Sequence, residues 1–326
     1  MSSQTASTLS GYAVEVTNLV KRFGSFQAVH GLSFTIEAGE IFGLLGPNGS
    51  GETTTLNMIS GLSEPTSGKV AIFGYDPRKQ PADVHRILGM VPQETALYGE
   101  LTAAQNLAFH AELFGYTGAE KKNRVSEMLK LAELSERANS RVNTFSGGMS
   151  RRLAIVRSML HDPKLLYLDE PTLGVDVQSR NTIWEYILKI KSEGCSVLLT
   201  TNYLEEANAL CDRIAIIDHG ELVALASPAE LKAKYGSSVI DLELDKSLSE
   251  ADLNKITGYN GVQSAKMNDN VLQVTFDPAS EKDPGALVPV ILENLTAGGY
   301  VVSRMSLREP SLDEVFLSLT GKGVRE

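Results

Sequence analysis

Residues 13–18 (Ala-Val-Glu-Val-Thr-Asn) alternate apolar and polar, the period of a half-buried strand. A second strand is expected over Leu32–Glu37. Ile41–Leu45 behaves differently. It is a continuous apolar run bounded by glycines, as a strand buried on both faces of a parallel sheet requires. Further apolar runs lie at Leu165–Leu168, Ser196–Thr201 and Ile214–Asp218, with helical stretches at Gln178–Ser192 and Tyr203–Leu210 between them. Strands alternating with helices predict an α/β fold, a sheet carrying helices on its faces.

Two regions break that alternation. Residues 100–160 hold helix periods, at Ala103–Phe114 and Lys122–Leu131, and little strand signal. They predict a helical subdomain inserted over about 95–160. After Tyr235-Gly236-Ser237-Ser238 the pattern changes again. Val239–Leu244 alternates, Val271–Phe276 follows the turn Asn268-Asp269-Asn270, Leu287–Ala297 is helical and Tyr300–Leu307 is a strand. The expected organisation is a disordered tail at 1–11, an α/β domain at 12–236 and a small α+β domain at 237–326.

Composition narrows the class. Hydrophobic residues make up 42% and charged residues 21%, a globular profile, and the net charge is −10. Such a balance speaks against a nucleic-acid partner, which calls for a basic face. It leaves nucleotide binding open, because backbone N–H groups can hold phosphate. Residues 241–326 carry 14 acids and 8 bases, so −6 of the charge falls in the last domain. Cys195 and Cys211 sit beside apolar residues and are expected to be buried, reduced thiols. No apolar run reaches the roughly 18 residues that cross a bilayer, and the first residues do not resemble a signal peptide. If the protein serves a membrane process, another chain is expected to supply the membrane part.

The strongest chemical signal is Gly46-Pro47-Asn48-Gly49-Ser50-Gly51-Glu52-Thr53-Thr54. It follows a strand and opens a helix, the context of the phosphate-cradling loop G-x-x-x-x-G-K-[ST]. The glycines let several N–H groups face one anion, the helix N-terminus adds a favourable field, and the Thr53 hydroxyl suits Mg²⁺. Position 52 departs from the pattern, with Glu in place of Lys. The lost attraction alone is worth about 4 kcal/mol for a unit pair at about 4 Å and an effective dielectric near 20. Glu52 can swing to solvent, take up a proton or pair with Mg²⁺. Ser146-Gly147-Gly148 at a helix start forms a second anion site. The strand Leu165–Leu168 then delivers Asp169 and Glu170 at its edge, where Asp169 suits a hydrated metal and Glu170 suits an attacking water.

Taken in this order and spacing, Gly46–Thr54, Ser146-Gly147-Gly148, Leu168-Asp169-Glu170-Pro171-Thr172 and Gly174-Val175-Asp176 resemble the Walker A, signature, Walker B and D-loop motifs of ATP-binding cassette (ABC) ATPases. The resemblance covers about residues 12–236. It implies a P-loop NTPase core, ATP and Mg²⁺ as cofactors, and Gln93 as a glutamine that touches Mg²⁺ and senses a membrane partner. It also implies Phe23 as the aromatic stacked on adenine, and Asn202 where the family carries its switch histidine. Asn can hydrogen-bond a γ-phosphate but carries no proton charge near neutral pH. Pro310–Gly321 resembles the C-terminal motif of daunorubicin-resistance-type (ABC-2) drug exporters.

In such transporters two subunits sandwich two ATPs, each site taking its signature from the facing chain. The expected function is therefore the ATP-binding subunit of an exporter of a drug, lipid or other hydrophobic or polymeric substrate. It would work at the cytoplasmic face of the membrane with an ABC-2-type permease and a second ATP-binding subunit, its own site impaired by Glu52 and Asn202. The alternative is a catalytically weak, nucleotide-dependent regulatory partner in a heterodimer. A soluble ABC ATPase of ribosomes or DNA repair would call for tandem cassettes or a coiled-coil insertion, and this chain has neither.

Overall fold

The structure is a computed structural model that describes residues 11–278, 280, 284–321 and 323. The tail expected at 1–11 lies, except for Gly11, outside the described residues. Two compact units result, the first running to Leu225 and the second beginning at Ala226. This division precedes the break read at Gly236–Ser237. Its cause is the helix Pro228–Tyr235, started by a Ser227/Glu230 capping box with Pro228 in the first turn, which packs against the C-terminal helix Leu312–Thr320.

In the first unit a six-stranded sheet runs in the order Leu88–Val91, Leu165–Asp169, Ser196–Thr200, Ile41–Leu45, Arg213–Asp218, Glu221–Ala226. Its first five strands are parallel. Every residue of Ile41–Leu45 and Ser196–Thr200 is buried, as an apolar run in a doubly covered sheet must be. Cys195 and Cys211 are free and buried. Leu88–Val91 was not legible in the sequence: it is short, polar at neither face, and follows the helix Pro81–Ile87 without a turn signal.

A three-stranded antiparallel sheet, ordered Phe26–Glu37, Tyr12–Phe23, Ser67–Ile72, packs its apolar side (Val14, Leu19, Ile36, Ile72) onto Phe42, Leu44 and Met58. The first strand does not end at Asn18 as its alternation suggested. Asn18 takes a positive φ of 45°, the register slips between Val16 and Leu19, and the strand continues to Phe23. The inserted region holds Ala103–Leu113, capped by Thr102 with Gln105, then Gly118–Leu131 and Gly147–Ser158.

The second unit is a β-α-β-β-α-β arrangement: Val239–Leu244, Glu250–Thr257, Val262–Asn268, Val271–Phe276, Pro284–Ala297 and Val302–Arg308. Its antiparallel sheet has the order third, fourth, first, sixth of these six elements, the split βαβ pattern. Ile256, Leu287, Ile291 and Leu295 from the two helices cover Ile240, Leu242, Leu272, Val274 and Phe276 on one face of the sheet. The hairpin turn at Asn268-Asp269-Asn270 is present, with Asp269 at a φ of 52°.

Candidate functional site

Four neighbouring parallel strands deliver the chemistry. Leu88–Val91, Leu165–Asp169, Ser196–Thr200 and Ile41–Leu45 are adjacent and point the same way, with Val91 beside Leu168 and Asp169 beside Thr200. The segments leaving their carboxyl ends carry Gln93, Glu170, Asn202 and the Gly46–Gly51 loop. A cavity of about 480 Å³ lies there, within the range of small-molecule sites. Phe23, Asn48, Gly49, Gly51, Glu52, Thr53, Thr54, Gln93, Asp169, Glu170 and Asn202 line it, together with Phe26, Ala28 and Thr200.

The loop is built by its glycines. Gly49 and Gly51 hold φ of 84° and 102°, and a Cβ on Gly51 would stand 2.6 Å from the Ala28 carbonyl oxygen. A Cβ on Gly46 would collide with Ser50 and the Ile217 carbonyl. Gly46, Pro47 and Ser50 are buried beneath the loop, while Asn48, Gly49 and Thr53 are exposed toward the cavity. The helix Glu52–Ile59 then starts with its free N–H groups and positive end at the loop.

Glu52 is half-buried and does not swing out to solvent. Its Oε1 accepts a hydrogen bond from the Ser50 hydroxyl at 3.1 Å. Burial pushes its carboxyl up to about 8, and the charges of Glu170 and Asp169 add to that rise against the Ser50 hydroxyl and the Gly46 N–H. No lysine or arginine is among the described residues lining the cavity. The cavity thus presents three carboxyl groups and, among its described lining residues, no basic side chain.

Asp169 is fixed by the Thr200 hydroxyl, which donates to its Oδ1 at 2.7 Å. Glu170 follows at a φ of 49°, a conformation that costs a non-glycine residue about 1–3 kcal/mol. Its N–H donates to the Thr200 carbonyl at 3.0 Å, and its Oε2 accepts the Asn202 N–H at 3.1 Å. Burial raises the Glu170 carboxyl, the Asn202 N–H works against that, and Glu206 and Asp169 push it further up. A carboxyl raised in this way is suited to accept a proton from a water in the cavity. The Thr53 hydroxyl, the Gln93 amide oxygen and the Asp169 carboxylate share the cavity, and oxygen donors of this kind fit Mg²⁺, which keeps several waters and takes one or two carboxylates. Bound there, the ion would neutralise phosphate charge.

Four sequence candidates lie elsewhere. Ser146, Gly147, Gly148 and Asp176 do not line this cavity. Ser146 caps the helix Gly147–Ser158, accepting the Met149 N–H at 3.3 Å, with Ser146 and Gly147 exposed and Gly148 buried. Gly148 sits against the next helix, where a Cβ would meet the Ser179 Cβ at 2.7 Å. Asp176 caps that helix, Val177–Ser192, by accepting the Ser179 N–H at 2.9 Å, which lowers its carboxyl.

Sequence reasoning missed Phe26 and Arg151. Phe26 stands opposite Phe23 across the Gly24-Ser25 turn, and the two rings are 65% and 55% exposed at the cavity mouth. An exposed aromatic next to a hairpin turn was the available signal. Arg151 is only 3% exposed and donates to carbonyls on both sides of the site. Nothing in a run of polar helix residues marks it out.

Residues 29–173 match the family described as ABC transporter, and residues 227–320 match the C-terminal domain of DrrA1-3-like ATP-binding proteins. Linearmycin resistance ATP-binding protein LnrL of Bacillus subtilis (strain 168) is 39% identical over 96% of this chain and 100% of its own length. Daunorubicin/doxorubicin resistance ATP-binding protein DrrA of Streptomyces peucetius is 38% identical over 95% of this chain and 92% of that protein. A solved structure described as the ATP-binding subunit of an ABC transporter superposes with a TM-score of 0.61 at 31% identity, covering 68% of this chain and 92% of that one.

Proposed function

The chain belongs to the ATP-binding subunits of ABC transporters, with a DrrA-like C-terminal domain, and from that premise we propose that it powers export through a separate membrane permease while its own nucleotide site is weakened. The relatives' names support a hydrophobic drug or a lipid-like or polymeric molecule as cargo: linearmycin, daunorubicin and doxorubicin, and, for a protein of Rhizobium sp. (strain N33) 35% identical over 96% of this chain, Nod factor. No helix among the described residues is long and apolar enough to cross a membrane. The DrrA-like C-terminal domain supports an ABC-2-type permease as the partner that would carry the channel. Tyr98, Phe109, Leu113 and Phe114 are exposed on and around the helix Ala103–Leu113, close in sequence to Gln93, and support that region as the permease-facing surface at the cytoplasmic face.

The observation that carries the weakened site is Glu52, held inside the cavity beside Asp169 and Glu170 with no basic residue among the described residues lining it. Mg-ATP would bind between the loop Gly46–Thr54, Thr53, Gln93 and Asp169, with an aromatic of the Phe23 hairpin under adenine and Glu170 facing the attacking water. Asn202 would reach the γ-phosphate without a charge. The Ser146-Gly147-Gly148 cap and Asp176, none of which lines this cavity and of which only Gly148 is buried, would complete the site of a second subunit. That division favours an asymmetric pair, in which this chain's cap serves a working partner site. The test is ATP turnover of the purified chain and of Glu52→Lys, each alone and with the permease co-expressed. Low turnover that rises in Glu52→Lys supports the reading. Equal and robust rates in both would overturn the impairment.

A further inference from the structure

We propose that Arg151 is a positioning residue that clamps the Gln93 loop to the Asp169 strand end, and thereby ties the metal-facing half of this chain's own site to the helix that carries its cap. The inference rests on the functional reading above for the meaning of the site, though not for the clamp itself. Arg151 lies in the helix Gly147–Ser158, in the second turn after Ser146. Its Nε donates to the Pro171 carbonyl at 2.9 Å, and its Nη1 donates to the Pro92 and Gln93 carbonyls at 2.7 and 3.2 Å. Its Nη2 donates to the Asp169 carbonyl. One guanidinium therefore holds the backbone on either side of the site, at the two residues whose side chains line it, while lining none of it itself.

The cost of this arrangement argues for a purpose. Arg151 is 3% exposed and forms no ion pair among the described residues, so its charge is balanced by carbonyl dipoles and by the more distant Asp169, Glu206 and Glu170. Burial draws the guanidinium down to about 10, which still leaves it charged at neutral pH. An apolar side chain of similar length would fill the space without that desolvation. What it cannot supply is a rigid planar fork that reaches four carbonyls at once. Lysine, with three donors on a single point, cannot span them either.

The geometry has a mechanical consequence. The helix that starts at Ser146 bears the cap on its first turn and the clamp on its second. A shift of that helix when the cap meets a phosphate on a facing subunit would be passed to the Gln93 and Asp169 peptides. These two sites of one chain are then not independent.

The experiment uses the full-length chain, wild type and Glu52→Lys, each with Arg151→Met and with Arg151→Lys. Amide hydrogen exchange without nucleotide reads the clamp directly. Protection is expected to fall by about tenfold or more in residues 93–96 and at Asp169, Glu170, Thr172 and Leu173 of Arg151→Met, less in Arg151→Lys, and not in Ser196–Thr200. Titration with a fluorescent ATP analogue, in Mg²⁺ and again in EDTA, reads the consequence. The Mg²⁺-dependent gain in affinity should shrink by about tenfold in Arg151→Met while the EDTA affinity stays within about twofold, as for other residues that orient a metal site from behind. Unchanged exchange at both segments, or affinities that fall equally in Mg²⁺ and EDTA, would overturn the proposal. If Arg151→Met does not fold, Arg151→Lys decides by the same two readouts. A wild-type and Glu52→Lys chain that bind no nucleotide would sink the functional reading instead, and the exchange pattern would still decide the clamp.

Discussion

The loop Gly46–Thr54 and the turn Ser146–Gly148 are both proposed to face phosphate, yet they depend on different physics. The turn offers backbone N–H groups and a capping hydroxyl, so its competence is a matter of shape: Gly148 must stay small against Ser179. The loop needs shape and charge together. Its shape is intact, with Gly49 and Gly51 in the left-handed region and a helix N-terminus behind them. Its basic charge is missing, since Glu52 brings a carboxyl, raised to about 8 by burial, where the pattern has Lys. On the proposed reading, a single side chain weakens the loop as a phosphate site and leaves the local shape of the turn unchanged, and coupling between the two runs through Arg151.

The largest effect should come from restoring the charge. Glu52→Lys supplies an attraction of about 4 kcal/mol, and above pH 8 it also removes a repulsion, so ATP affinity measured by calorimetry is expected to rise about a hundredfold or more. An unchanged affinity would mean that backbone N–H groups alone set binding in the loop, and the contrast with the turn would vanish.

The second effect is a pH dependence. Glu52 titrates near 8 in the folded chain against 4.5 as a free side chain. The folded state therefore holds the extra proton between these values, and the Glu52 contribution to stability is fully present below about 4.5 and is lost as pH rises to about 8. Allowing for the group's partial exposure, the loss is of order 2–4 kcal/mol. Thermal unfolding from pH 5 to 9 should show this decline in wild type and lack that component in Glu52→Gln. ATP affinity should also fall more steeply through pH 8 in wild type than in Glu52→Gln, since only the ionised carboxylate repels phosphate.

The turn should instead respond to size. Gly148→Ala is expected to cost about 1–3 kcal/mol in urea unfolding, because the new Cβ meets Ser179. Ser179→Gly in the same chain should recover part of that loss. If Gly148→Ala is silent, the packing of the turn does not set its shape. The smallest effect concerns the base. Phe23→Ala should weaken ATP binding by about 1 kcal/mol, roughly fivefold, and more than Phe26→Ala does. The reverse order would assign stacking to Phe26.

Much of this site could be read from the sequence because its motifs are local. A phosphate loop needs its glycines within a few residues, and the Asp169-Glu170 pair needs an apolar strand immediately before it. The same holds for the fully buried strands Ile41–Leu45 and Ser196–Thr200, whose residues leave no polar face. Phe26 escaped because its partner Phe23 lies across a hairpin that alternation alone had ended at Asn18. The strand Leu88–Val91 escaped because four residues carry too little periodicity, although its register beside Leu165–Asp169 is what brings Gln93 to the cavity.

By itself, then, the amino-acid sequence determined most of the elements, the order of the chemistry along the chain and the missing basic charge at position 52, since each is written in residues close to one another. The tertiary structure alone decided that Glu52 stays inside the cavity, that Asp176 and Ser146 cap helices outside it, and that Arg151 joins Gln93 to Asp169. Those outcomes depend on which surfaces of distant segments meet and on how much water is left between them. Burial and carbonyl dipoles are properties of the packed chain, and no local pattern of residues encodes them.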